Sequence, residues 1–344
     1  MKNKILRNVF VIFAIALFFS GCSKKQSGNT LVIYSPHGKE LLSEYEKKFE
    51  AANPGVDVQW LDMGSQEIID RVKTEKDNPQ ADIWWGAPST LFIKAEGLGL
   101  LEKYTPTWSA NIEASHKSKN DFWYGTFLTP EVIAFNNKFV DEASAPKSWE
   151  DLVSPTWKGS IVLRNPMASG TLRMIFSAML YRSNKETNNI ERGLSWLRAL
   201  DANTSSYAAD PTQMYLKLAS DGKNITLWNM PDIVLQQKNY NYPFGYVFPY
   251  GGAVVVTDGI AIIKNSKNTE LAKKFYEFVT TQEAMYEQAE KFYRVPARTD
   301  LDKNKLPDWL KKANYTEMQL DWEAITAGES DWMKRWDAEI KTNK

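Results

Sequence analysis

Along this chain the spacing of apolar positions switches between the two-residue period of strands and the 3.6-residue period of helices, and the switch points mark its elements. LVIYS, residues 31–35, is a short β-rich run; in the KELLSEYEKKFEAANPG that follows, Leu41, Leu42, Tyr45 and Phe49 fall on one helical face before Pro54-Gly55 ends it. A second strand, VDVQWLDM, leads through Gly64-Ser65 into the helical SQEIIDRVKTEKDN, with Ser65 as N-cap. ADIWWGAPS reads as strand into turn and TLFIKAEGLGLLEKY as helix. Three successive strand-to-helix units predict an α/β fold with a parallel sheet covered by helices on its faces.

The middle of the chain repeats the logic. An extended run in YGTFLTPEVIAFNNKFV precedes the loop and strand of SWEDLVSPTWKGSIVLRNP, and a long helix opens directly after Ser169-Gly170-Thr171. NIERGLSWLRALDAN is helical, PTQMYLKLASDGKNITLWNM is helix then strand, and FGYVFPYGGAVVVTDGIAIIKNSKN is strand-rich with a break at Gly251-Gly252. The tail is mostly helical and rich in Trp over 307–340. Ligands of open α/β sheets bind beyond the carboxyl ends of the strands. Here those ends are Ser35–Gly38, Gly64-Ser65, Gly86–Ser89, Ser169–Thr171 and Trp228–Asp232, all small or polar turns.

The first residues change the picture of where the protein works. Lys2, Lys4 and Arg7 precede an unbroken apolar run from Val9 to Phe19 that ends in Ser20-Gly21-Cys22. That run is shorter than the ~20 residues a membrane-spanning helix needs, so 1–21 reads as a signal peptide. Cys22 is the single cysteine, which excludes an intrachain disulfide. Its setting resembles a bacterial lipobox, with Phe19 in place of the commoner Leu or Ile; lipid on Cys22 would make this an exported, membrane-anchored lipoprotein, with residues 22–30 as its flexible leash.

Composition sets further limits. With 42 basic and 42 acidic side chains the formal charge is zero, which gives no electrostatic case for nucleic acid or for a basic membrane-binding surface. About 320 residues after the signal exceed a single core, so two lobes are expected. No HExxH or GxSxG motif occurs, and two histidines without a triad motif give no basis for an enzyme. His116, in the polar EASHKSKND, is expected on the solvated surface. Trp84 and Trp85 are adjacent on a strand, so one is expected in the sheet and one near the ligand, while Trp123 and Trp228 are further candidates for stacking.

FEAANPGVDVQW, ADIWWGAPSTLFIKAEGLGLLEKY, SWEDLVSPTWKGSIVLRNPMASGT and GIAIIKNSKNTELAKKFYEFVTTQEAMYEQAEKFYRVPAR, in that order, resemble the extracytoplasmic solute-binding proteins of ABC importers. The branch is the one containing ferric-ion, thiamine, phosphonate and sugar-phosphate binders. The resemblance implies a two-lobed periplasmic-binding-protein-like fold of type 2, each lobe a mixed, mostly parallel sheet flanked by helices, that closes on one ligand. It places residues 31–127 in the first part of lobe 1, 128–256 in lobe 2, and 257–344 back in lobe 1 with the C-terminal helices. Crossing segments are expected near Gly125–Asn136 and Val254–Ile263. It also implies an ABC permease with its ATPase as partners, a monomer, and no cofactor.

For ferric iron, the family pattern implies a histidine in the first turn, a carboxylate in the third and a tyrosine pair in lobe 2. Here His37 is shifted by one position, Ala87 stands at the carboxylate position, and Trp228-Asn229 replaces the tyrosines. Ala and Trp supply no hard anionic oxygen, so no metal site is assigned. A phosphorylated sugar or a phosphonate fits better: Ser169, Gly170 and Thr171 open a helix whose free N–H groups favour an anion. Ser65 begins a second such helix, and His37 and Gly38 offer a ring donor and a close backbone approach. Ser35, Pro88, Ser89 and Tyr250 join Ala87, Trp228 and Asn229 as candidate contacts. Glu131 and Asp232 would accept from sugar hydroxyls or an amine. Iron or an iron chelate remains the alternative, followed by a cation such as thiamine or a polyamine, or a surface lipoprotein uncoupled from transport.

Overall fold

The computed structural model describes residues 29–342; the signal segment, Cys22 and most of the linker lie outside the described residues. The three opening apolar runs are β1 (Thr30–Ser35), β2 (Asp57–Asp62) and β3 (Ile83–Pro88), followed by α1 (Lys39–Ala52), α2 (Ser65–Thr74) and α3 (Ser89–Gly97). β1 pairs in parallel with β2 and β3, as repeated strand-to-helix units require. After the short β4 (Leu101–Glu102), β5 (Tyr124–Asn136) leads to β6 (Ile161–Arg164), α4 (Gly170–Thr187), α5 (Glu191–Asn203), β7 (Thr204–Ala208) and α6 (Pro211–Ala219). β8 (Ile225–Asn229), α7 (Met230–Tyr240), β9 (Phe244–Val247) and β10 (Val255–Ile263) follow. The chain ends with α8 (Thr269–Val279), α9 (Gln282–Phe292), β11 (Val295–Pro296), α10 (Asp308–Lys312) and α11 (Trp322–Glu339).

The strand order is β2-β1-β3-β10-β5-β8-β6-β7, parallel on both flanks and antiparallel where β10 and β5 join them. β5 is long enough to serve both halves. Tyr124 to Pro130 pair with β10, and Glu131 to Phe135 pair with β8. One core, with Ile33, Phe49, Trp85 and Phe275, and a second, with Ile68, Trp84 and Phe92, cover the two faces of the first half; Ile133, Trp149, Leu163, Phe176 and Leu227 fill the other half.

Because β3 is interior to the sheet and helices cover both its faces, Trp84 and Trp85 are both fully buried. Trp84 packs on Phe92 at 4.4 Å between ring centroids, and Trp85 meets Tyr45 and Phe275 edge-on. The expectation that one of them approaches a ligand is therefore corrected, and Trp123, packed against Phe92, is likewise a core residue. His116 is not a solvated surface histidine either. Its Nδ1 lies 2.7 Å from Thr257 Oγ1, and burial lowers its pKa below the ordinary value. The last helix does not pack on the first half alone: Met333, Trp336 and Ile340 sit in the second-half core, with Trp336 against Phe176 and Tyr207.

Candidate functional site

A cavity of about 720 Å³ opens where the carboxyl ends of β1, β3, β6 and β8 face one another across the junction of the halves, a volume within the range of small-molecule sites. Pro36–Gly38, Asp62, Ser65, Ala87 and Pro88 line it from one side and Arg164, Ser169–Thr171, Tyr215, Trp228, Asn229 and Asp232 from the other, with Thr129, Glu131 and Asp258 at its floor on β5 and β10. The two lips touch. A Cβ on Gly170 would stand 2.8 Å from Ser65 Oγ and 3.0 Å from Pro88 Cδ, so glycine there lets the first turn of α4 approach the opposite rim. Ser169 is the N-cap of that helix, its Oγ accepting the Leu172 N–H at 3.3 Å.

The walls are rich in acceptors. Glu40, Asp62, Glu67, Glu131, Asp210, Asp232 and Asp258 face only Lys39, Arg164 and Arg294 among the described lining residues. Glu131 is buried with Oε2 unpartnered; burial, then the charges of Asp258 and Asp232, raise its pKa well above the usual carboxylate range. Asp258 accepts from Thr129 Oγ1 at 2.5 Å, yet burial pushes its carboxyl up to about 6. Asp232 is better supplied. It accepts from Asn229 Nδ2 at 2.9 Å, Trp228 Nε1 at 3.3 Å and Arg294 Nη2 at 3.3 Å. Arg294 also donates to the His37 carbonyl and lies over the Phe127 ring, which ties the first turn to α7 across the cavity.

Arg164 differs from Arg294. It ends β6, is only 6% exposed, and its guanidinium makes no hydrogen bond within the described residues, with Nε buried and unpartnered. Desolvation lowers its pKa, against the weaker opposing pull of Asp210 and Tyr215. A guanidinium that lines the cavity with no protein acceptor is a place for a carboxylate, phosphate or phosphonate oxygen. Metal ligation finds less support: among the described residues no three His, Cys, Asp or Glu side chains come together as a metal set, and Ala87 occupies the third turn with φ 93°.

Residues 78–326 match the family model for bacterial extracellular solute-binding proteins. The chain belongs to that family. It is 25% identical over 351 residues to a probable ABC transporter periplasmic-binding protein, y4fP, of Sinorhizobium fredii, covering 99% of this chain and 94% of that one. Among solved structures it superposes on the periplasmic binding protein P5PA with a TM-score of 0.79 and 26% identity, covering 91% and 100% of the two chains. AfuA of Actinobacillus pleuropneumoniae, solved with fructose-6-phosphate, matches in fold with a TM-score of 0.77 and 23% identity over 90% and 98%. The family is one of solute-binding transport proteins, not enzymes, and y4fP is named as a probable binding protein of an ABC transporter.

In this binding protein, His37, Gly38, Ser65, Ala87, Pro88, Glu131, Ser169, Gly170, Thr171, Trp228, Asn229 and Asp232 come together around the cavity. Three expected contacts stand elsewhere. Ser35 is fully buried and spends its Oγ on the His37 N–H at 3.2 Å; Ser89 is buried at the start of α3 without lining the cavity; Tyr250 is 71% exposed beyond it. His37 lines the cavity as a neutral ring, since burial first and Arg294 second lower its pKa well below the ordinary value. Its Nε2 points at Gly86, whose φ is +99° and whose added Cβ would lie 2.6 Å away. Gly86→Ala is expected to cost about 1–2 kcal/mol in urea unfolding, from the left-handed backbone and the displaced ring.

Sequence reasoning missed Arg164, Arg294, Asp258 and Tyr215. Arg164 was signalled by a charge at the end of the apolar IVLR, and Asp258 by a lone acid inside AVVVTDGIAII. Arg294 carried no such signal, because it reaches the cavity only through the packing of β11 on β5.

Proposed function

We propose that this binding protein captures a small solute carrying one phosphate or phosphonate group and several hydroxyl or amine donors, with a sugar phosphate as the type, and hands it to the permease of its ABC importer. The observation that carries the reading is Arg164: a buried guanidinium at the cavity wall with no protein acceptor. The phosphoryl end would lie between Arg164 and the first turn of α4, where Thr171 adds a hydroxyl and free N–H groups add donors. The polyol or amine end would face Glu131, whose Oε2 has no partner, with Asp232 and Asp258 beside it. A polyamine would meet those carboxylates but leave the buried Arg164 Nε–H without an acceptor. The fructose-6-phosphate bound by AfuA, which shares this fold, has the same bipolar chemistry. Acylated Cys22 would hold the protein at the membrane surface as a monomer.

Calorimetry with fructose 6-phosphate, 2-aminoethylphosphonate, spermidine and ferric citrate tests the reading. One or both phosphorus compounds are expected to bind; tight spermidine or iron binding with both phosphorus compounds silent rejects it. Ser169→Ala combined with Thr171→Ala is expected to weaken the phosphorus ligand about tenfold, the loss of one or two hydrogen bonds to a charged group.

A further inference from the structure

Glu329, in the middle of α11, is fully buried although it carries a carboxylate. Its Oε1 accepts from Lys94 Nζ on α3 and lies 3.5 Å from Arg173 Nη1 on α4, while Oε2 has no protein donor. Both cationic partners belong to helices that start at the cavity rim, α3 just after Pro88 and α4 at Gly170. Arg173 also donates Nη2 to the Met167 carbonyl at 3.2 Å, in the turn that leads into Ser169–Thr171. The two helices touch where Thr90 Oγ1 meets Met174 Sδ at 3.4 Å.

α11 lies over this junction. Its first turns reach the first half, with Glu323 bonded to Lys119 at 2.7 Å, and its last turns enter the second-half core through Met333 and Trp336. Near its end Arg335 donates to Glu191 at 3.1 Å on α5. A buried carboxylate shared by one cation from each half resists separation of the halves, because losing either cation leaves the charge under-neutralised in a low-dielectric site.

We propose that Glu329, with Lys94 and Arg173, is a positioning unit: α11 is a strap that sets the register of the two rims and favours the arrangement in which they touch. The inference rests on the reading that a solute enters between the halves. None of the three side chains lines the cavity. Lys94 is the clean test, since its side chain is 25% exposed and can be truncated without emptying a core.

The experiment is a spin-label distance measurement on the full chain carrying Cys22→Ser, with labels on Asp70→Cys of α2 and Leu216→Cys of α6, both exposed, and no solute added. Lys94→Met is expected to shift the population to longer separations and to lower the melting temperature, and Lys94→Arg to restore both. Fructose 6-phosphate affinity is expected to fall roughly tenfold in Lys94→Met, the worth of one charge-assisted hydrogen bond. An unchanged distance distribution in Lys94→Met overturns the strap. Absence of fructose 6-phosphate binding in the unmutated chain bears on the proposed solute alone, since the solute-free distances are read without it.

Discussion

Replacing Arg164 by Met is expected to weaken fructose 6-phosphate binding about a hundredfold, or roughly 2.7 kcal/mol, while leaving the melting temperature unchanged or raised. The two signs have one cause. The Arg164 Nε–H is buried and has no acceptor in the protein, so it is held at a cost that Met does not incur. A phosphoryl group supplies the missing acceptor in bidentate form, and the recovered desolvation becomes ligand affinity. Arg164→Lys keeps the charge and loses the fork, and is expected to fall between the two. Calorimetry and a thermal melt on each variant decide it: binding within threefold of the unmutated protein, or a large drop in melting temperature, would make Arg164 a structural residue.

Asp258 should make the empty protein less stable as pH rises through the acid range. Burial lifts its carboxyl from 3.8 up to about 6, so the folded state holds a proton that the unfolded chain has released. For a carboxyl raised in the folded state the contribution is fully present below about pH 4 and lost as pH climbs through about 6; two units correspond to about 3 kcal/mol. Glu131, raised in the same direction by burial and by Asp258 and Asp232, adds to the slope. Urea unfolding between pH 4 and 7 is expected to show a flatter profile for Asp258→Asn than for the unmutated protein. Carboxyls lowered by neighbouring lysines and arginines, such as Glu44, Glu287 and Asp300, act oppositely in both proteins and cancel in that comparison. Identical slopes in the two would remove Asp258 from the account. Hydroxyl or amine donors of a solute stabilise the ionised form, so binding is expected to tighten over the same pH range.

The order of strands and helices was legible in the chain because periodicity and turn residues are local properties. Leu41, Leu42, Tyr45 and Phe49 declare the face of α1 without reference to anything distant, and they are the residues that face buries. The turns at strand ends were legible for the same reason, since an α/β repeat sends every carboxyl end to one side. What was not legible is which atoms in those turns remain free. Ser35 and Ser89 have the composition of ligand contacts, yet Ser35 is spent on its own turn and Ser89 is covered at the start of α3.

By itself the sequence determined the α/β class, the run of its elements, the turns that gather around a cavity, and the family resemblance that the ordered segments carry. Only the tertiary structure decided the charge of the site. A chain with 42 acids and 42 bases is neutral as a whole, but seven of those acids and three bases face the cavity. It also decided that Arg164 is unpaired while Arg294 is bound to Asp232, and that Glu329 joins helices from both halves. The physical reason is that burial and pairing depend on residues brought together across long stretches of chain. Arg294 and Asp232 are 62 positions apart, and Lys94 and Glu329 are 235.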